Sequence, residues 1–200
     1  YKLAQMAVRC WVGDSMNYRT AGMIETSLGK TDEKDSVAAL KAIEEYVAEC
    51  SILKVACSEY LDYVVDEAVQ IHGGYGYSAE YAVERHYRDS RINRIFEGTN
   101  EINRLTITGS ILKKAMSGKL NLAGGVTEVD SNVLQAEKKM VGNAKKAALL
   151  AAGTAIQTIA ADNPEEKHQE TLMRIADLAI EVFAMDSTWL RAAKQAGEKG

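Results

Sequence analysis

Apolar or small residues return every three or four positions along most of this chain, and a single proline, Pro164, stands among its 200 residues. That spacing is the signature of helices with one apolar face, and proline is the residue that most reliably breaks them. From Val37 onward the stripe runs through Leu40, Ile43, Val47, Cys50, Leu53, Cys57, Leu61, Val64, Ala68 and Ile71. It predicts one helix of about 50 Å, entered through Asp35 or Ser36 as N-cap and ended by Gly73-Gly74, where positive φ costs little. No alternating β pattern persists beyond a few residues.

The same spacing predicts a first helix from about Lys2 to Ser27, then a polar linker "LGKTDEKDS", and a later helix from Glu101 to Ser117. The glycine-containing stretch "SGKLNLAGGVTEVDS" marks a boundary. Beyond it, one helix is expected from near Asp130 to about Ala161. The next starts at Asn163-Pro164-Glu165-Glu166, with asparagine as cap, proline at the first helical position and acids against the helix dipole. On that last helix Leu172, Ile175, Ala179, Val182 and Met185 form an apolar stripe, with Trp189 one turn on. The expected fold is all-α: an up-and-down bundle over residues 1–118, a linker over 119–129 and a helical hairpin over 130–200.

Composition narrows the function. The 46% apolar content is ample for a packed core, and the net charge of −4 is mixed along the chain, so no nucleic-acid surface is expected. Cys10, Cys50 and Cys57 lack CxxC spacing and read as buried thiols in a reducing compartment, not as metal ligands. The chain opens at Tyr1 inside a helical pattern, which suggests a piece of a longer protein.

The chemistry concentrates in residues 70–104, "QIHGGYGYSAEYAVERHYRDSRINRIFEGTNEINR". Gly73 and Gly74 let a ligand approach the backbone or simply stop a helix; following a helix, they do not make a dinucleotide-binding strand turn. Glu84, Arg85, Arg88, Asp89 and Arg91 read as an ion-pair network, and Tyr75, Tyr77, Tyr81 and Tyr87 as wall or core. Glu97 is different. Asn100 is the better helix cap and Glu101 already supplies first-turn charge, so Glu97 either adds to the dipole interaction or is free for other work. An apolar wall behind a carboxylate disfavours its ionised form and makes it a stronger base.

Residues 1–117, above all "QIHGGYGY" and "VERHYRDSRINRIFEGTNEINRL", resemble the C-terminal domain of the acyl-CoA dehydrogenases, and residues 126–200 are similar to the extension of the very-long-chain branch and its bacterial relatives. The resemblance implies an FAD-dependent α,β-dehydrogenation of fatty acyl-CoA, with long chains favoured, in β-oxidation. It implies Glu97 as the general base, with its N–H helping to hold the thioester oxygen, and Gly98 making room for substrate. Gln70, Ile71, His72, Gly73 and Gly74 match the turn that reaches the FAD of a neighbouring subunit. Thr99, Asn100 and Glu101 match the helix start beside that cofactor, with Glu101 acting through its backbone. Arg88 and Asp89 stay structural. Gly109 stands where several relatives carry arginine, which fits the very-long-chain branch.

The resemblance further implies electron-transfer flavoprotein as acceptor and a homodimer or homotetramer. Location would be the cytoplasm in a bacterium, or the mitochondrial matrix or inner-membrane face in a eukaryote. The family's first bundle helix and its other two domains are missing, so this piece alone is expected to be inactive and to bind FAD weakly or not at all. An acyl-CoA oxidase and a non-catalytic helical interaction module of the same fold are the alternatives. Membrane contact by the extension stays open because the long-chain branch includes membrane-associated members, although no basic amphipathic face with exposed aromatics stands out here.

Overall fold

The computed structural model describes residues 1–32, 34–120, 133–162 and 168–197. Seven α-helices follow in order: α1 (Lys2–Leu28), α2 (Ser36–Glu44), α3 (Val47–His72), α4 (Ala82–Ser90), α5 (Asn100–Met116), α6 (Gln135–Asp162) and α7 (Gln169–Gly197). Short 3₁₀ turns, Gly73–Tyr77 and Arg91–Arg94, precede and follow α4. There is no strand among the described residues, and none of their helices is long and apolar enough to cross a membrane.

Asp35 caps α2 by accepting from the Ala38 N–H at 2.9 Å, and Gly73 ends α3 at φ 61. The single long helix expected from residue 36 to 72 is, however, two helices. Tyr46 leaves helical geometry at φ −103, ψ 19, so α2 ends and α3 begins afresh. No residue of α2 is buried. Its apolar residues Val37, Leu40 and Ile43 point to solvent. Apolar spacing therefore continues through the break without a shared core to keep the two helices collinear. Helix α6 starts at Gln135, five residues later than the sequence suggests, and the expected proline start of α7 lies outside the described residues.

One core joins four helices: Met16 of α1, Ile52, Val55 and Ala56 of α3, Ile107 of α5, and Ala176, Ile180 and Ala184 of α7. The α7 stripe is rotated from its expected position. Leu172, Ala179, Val182 and Met185 are only half-buried, whereas Ile175, Ala176, Ile180, Ala184 and Ser187 face inward with Trp189. Two of the innermost residues are alanines, which bring α7 close to the bundle; a search for large apolar side chains underweights them. Asp186 fixes the arrangement by pairing with Arg19 of α1 at 2.9 Å and Lys145 of α6 at 2.6 Å.

The three thiols are not buried as expected: Cys10 and Cys50 are exposed and Cys57 is half-buried. Burial nonetheless pushes the Cys57 thiol up, with Asp14 adding to the shift. Cys57 lines a groove of about 500 Å³ between α1 and α3, together with Gly13, Leu53 and Tyr60. The Tyr60 hydroxyl there is pushed up to about 12, first by burial and then by Glu181.

Candidate active site

The segment 95–99 connects the turn after α4 to the start of α5. Arg94 anchors its near end to Asp62 of α3 at 2.8 Å. At its far end Thr99, not Asn100 as the sequence suggests, is the N-cap, its hydroxyl accepting from the Ile102 N–H at 3.3 Å while the Asn100 side chain is drawn to α3. Between these anchors Glu97 and Gly98 both adopt positive φ, 54 and 77. Gly98 tolerates this without strain, but Glu97 does not: a left-handed residue with a Cβ costs about 1–2 kcal/mol. Such strain persists only where surrounding contacts over-determine the backbone.

Those contacts are visible. The Asn103 side-chain amide, one turn into α5, donates to the carbonyls of Gly98 at 2.9 Å and Thr99 at 3.1 Å, with a longer reach of 3.4 Å to Glu97. Lys54 of α3 donates to the Gly98 carbonyl at 2.6 Å and to Asn100 Oδ1 at 2.7 Å. With the carbonyls drawn inward, no described residue accepts from the N–H of Glu97 or Gly98. The Glu97 carboxylate is exposed. Carboxylate and N–H are thus presented together on one rigid turn.

The apolar wall expected behind Glu97 is not formed by these residues. Phe96 is itself 46% exposed, as are Ile95 and Ile92 to similar degrees. Any wall around this carboxylate must come from outside the described residues. A Cβ on Gly98 would stand 3.1 Å from Asn103 Nδ2, a tight approach in addition to the positive φ that favours glycine.

At the α5 start, Asn100 turns inward and is only 3% exposed. Its amide donates to Ser58 Oγ at 2.9 Å and Glu59 Oε1 at 3.1 Å. That leaves the side chain no capacity for a ligand. Arg104 grips both oxygens of Glu59, at 2.8 and 3.0 Å, and reaches Asp177 of α7 at 2.7 Å. Glu101 folds its carboxylate over its own N–H and the Thr99 hydroxyl, and these two bonds, in that order, hold it below the usual carboxylate range. An anion at this helix start would meet the Thr99 hydroxyl and the Asn100 N–H, with the Glu101 charge beside it.

Gln70, Ile71, His72, Gly73 and Gly74 gather elsewhere, all exposed, at the far end of α3. Ser58, which touches the α5 start, lies about 18 Å earlier along that helix at ~1.5 Å per residue. Gly73 sits at φ 61, ψ −141, a region open to glycine alone, and nothing stands within 4 Å of a Cβ at Gly73 or Gly74. Gly76, which sequence reasoning passed over, is the packed glycine of the turn. A Cβ there would meet the Val69 carbonyl at 2.5 Å.

The four tyrosines expected as wall or core are exposed, Tyr77 most of all, and Tyr75 leans on Tyr81 with ring centres 5.2 Å apart. The Glu84–Arg88 pair exists, at 3.6 Å on the exposed face of α4. Lys54 and Asn103 were also missed. Their only trace in the sequence is a lysine inside the otherwise apolar run "SILKVA" and an amide four residues after the Thr99 cap.

The fold and this turn define a helical domain that presents a carboxylate and a backbone donor from the entrance of α5. Two family models match the chain, both described as acyl-CoA dehydrogenase, C-terminal domain, over residues 1–112 and 143–200. The chain belongs to the acyl-CoA dehydrogenase family. It is 46% identical to a probable acyl-CoA dehydrogenase of Bacillus subtilis across 100% of this chain and 36% of that protein. A short-chain specific acyl-CoA dehydrogenase of Sus scrofa mitochondria is 36% identical over 58% of this chain and 32% of its own length. Among solved structures, an acyl-CoA dehydrogenase from Bacillus anthracis complexed with FAD superposes with a TM-score of 0.84 at 50% identity, over 95% of this chain and 33% of that one. The chain therefore spans about a third of the length of the relatives it matches.

Proposed function

We propose that this chain supplies the general base and part of the cofactor surface of an FAD-dependent dehydrogenase that converts fatty acyl-CoA to trans-2-enoyl-CoA. The observation that carries this reading is the turn at Glu97: an exposed residue at positive φ whose N–H has no described acceptor. Protons α to a thioester are weakly acidic, so a positioned base matters, and the charge that gathers on the thioester oxygen needs a donor. Glu97 takes the α-proton; the Glu97 N–H stabilises the oxygen; Gly98 keeps the approach free of a side chain. Bound FAD supplies the acceptor for the hydride that leaves the β-carbon.

The residues present suit that cofactor. The open backbone at Gly73–Gly74, with Gln70, Ile71 and His72 exposed beside it, gives a flat surface a large ligand can lie against. Thr99 and Asn100 offer backbone N–H groups with no described acceptor to an anionic group, while the Glu101 N–H is taken by its own carboxylate. The resemblance of the glycine turn to one that reaches a neighbouring subunit's FAD supports a working protein that is a homodimer or homotetramer. Electron-transfer flavoprotein is the acceptor in this reading, fatty-acid β-oxidation the context, and the cytoplasm or mitochondrial matrix the location.

Long-chain substrates are favoured by the extension. The Bacillus subtilis relative matches this chain throughout, whereas the short-chain enzyme matches only 58% of it. Purified protein carrying this chain, mixed anaerobically with palmitoyl-CoA and with butyryl-CoA, tests the reading. Flavin bleaching by palmitoyl-CoA is the expected result. A flavin-free protein, or a flavin that neither thioester reduces, would leave a helical interaction module as the better description.

A further inference from the structure

Resting on the reading of Glu97 as the base, we propose that Lys54 is a positioning residue that sets where that base stands. The turn at residues 97–99 has two kinds of restraint. Asn103 ties it to α5, the helix the turn itself begins, so this bond fixes its shape and not its place. Among the described residues, Lys54 is the only side chain from another helix that bonds the backbone of this turn, at 2.6 Å to the Gly98 carbonyl. Arg94–Asp62 holds the near end to α3, and Ser58 and Glu59 hold Asn100 at the far end. Lys54 is what ties the middle of the turn to α3 and the adjoining α1–α3 groove, which it also lines.

The lysine head is itself registered. Its second bond, 2.7 Å to Asn100 Oδ1, ties it to an amide that Ser58 and Glu59 hold from α3. Glu59 is gripped in turn by Arg104, which reaches Asp177 of α7. Lys54 thus stands at the end of a chain of polar contacts running from the C-terminal helix to the residue after the base. Its charge-assisted bond to Gly98 is of the strong class, and it draws in the carbonyl that follows the strained Glu97. Without Lys54 the turn keeps its capping at Thr99 and its anchors at both ends, but its middle, with the Glu97 carboxylate, is free to shift. Misplacement of a reacting group by about 1 Å costs on the order of a hundredfold in rate.

The test compares Lys54→Met, Lys54→Arg and Lys119→Met in the FAD-loaded protein that carries this chain, with palmitoyl-CoA and its α-deuterated form. Lys119 pairs with Glu45 at 2.9 Å, away from the turn, and controls for loss of one cation. Lys54→Met is expected to lower kcat by roughly tenfold to a hundredfold, leave KM and flavin content within about threefold, and raise the α-deuterium isotope effect as proton removal becomes limiting. Lys54→Arg, which keeps a donor, should recover part of kcat, and Lys119→Met should match the parent. Should Lys54→Met fold poorly, the isotope effect of Lys54→Arg decides: an increase supports the assignment and an unchanged value overturns it. An unchanged kcat in a flavin-loaded Lys54→Met also overturns it, while leaving Glu97 as the base. If Glu97→Gln turns over as fast as the parent, the underlying reading fails, and this inference with it.

Discussion

At the residue scale, the site is made by backbone conformation as much as by side-chain chemistry. Glu97 and Gly98 stand side by side at positive φ, and the three inward carbonyls that follow from this leave the N–H groups for something else. Gly98→Ala should therefore be costly twice, through left-handed strain and through the 3.1 Å approach to Asn103 Nδ2. A loss of about 1–2 kcal/mol is expected, read as a lower urea midpoint at unchanged slope; a midpoint equal to the parent's would mean the turn relaxes freely. Residue types alone left Glu97 between a helix-dipole role and a catalytic one, and the family resemblance of "IFEGTNEINRL" singled it out as the base. The sequence could not show Lys54, because nothing in "SILKVACSEY" tells which helical lysine meets a carbonyl 44 positions away.

At the element scale, the helices were legible wherever their apolar stripe found a partner. Helices α1 and α5 fall within a residue or so of their expected limits, and α3 stops at the glycine that its periodicity required. The errors share one cause. Periodicity reports that residues could face a common core, not that a core is present. Hence α2 reads as a continuation of α3, although its large apolar residues Val37, Leu40 and Ile43 stay exposed. The α7 face was misjudged for the complementary reason, since Ala176 and Ala184 contribute to close packing while scarcely registering as apolar. The start of α5 also carries a pH signature. Glu101 is held below its usual value, so the stabilisation it gives is full above about 4.5 and is lost as pH falls through its folded value.

At the scale of the whole molecule, α7 is not an appendage: Ala176, Ile180 and Ala184 complete the core built by Met16, Val55 and Ile107. Ala176→Leu should force α7 off α3 and α5, at a cost of about 1–3 kcal/mol from overpacking. Chemical denaturation that finds no loss would place α7 outside the cooperative unit. The same helix reaches the candidate site through Asp177 and Arg104. Tyr1, Leu3, Tyr18, Tyr75, Tyr77 and Phe96 remain exposed.

The central claim, that Glu97 removes the α-proton, is tested most directly by one stopped-flow comparison. FAD-loaded protein carrying this chain and its Glu97→Gln variant, at equal flavin content, are mixed anaerobically with palmitoyl-CoA, and the rate of flavin bleaching is read. The account predicts a rate lower by at least about 10²–10⁴ in the variant, with substrate still bound. Bleaching at the parent's rate in Glu97→Gln would remove Glu97 from the mechanism.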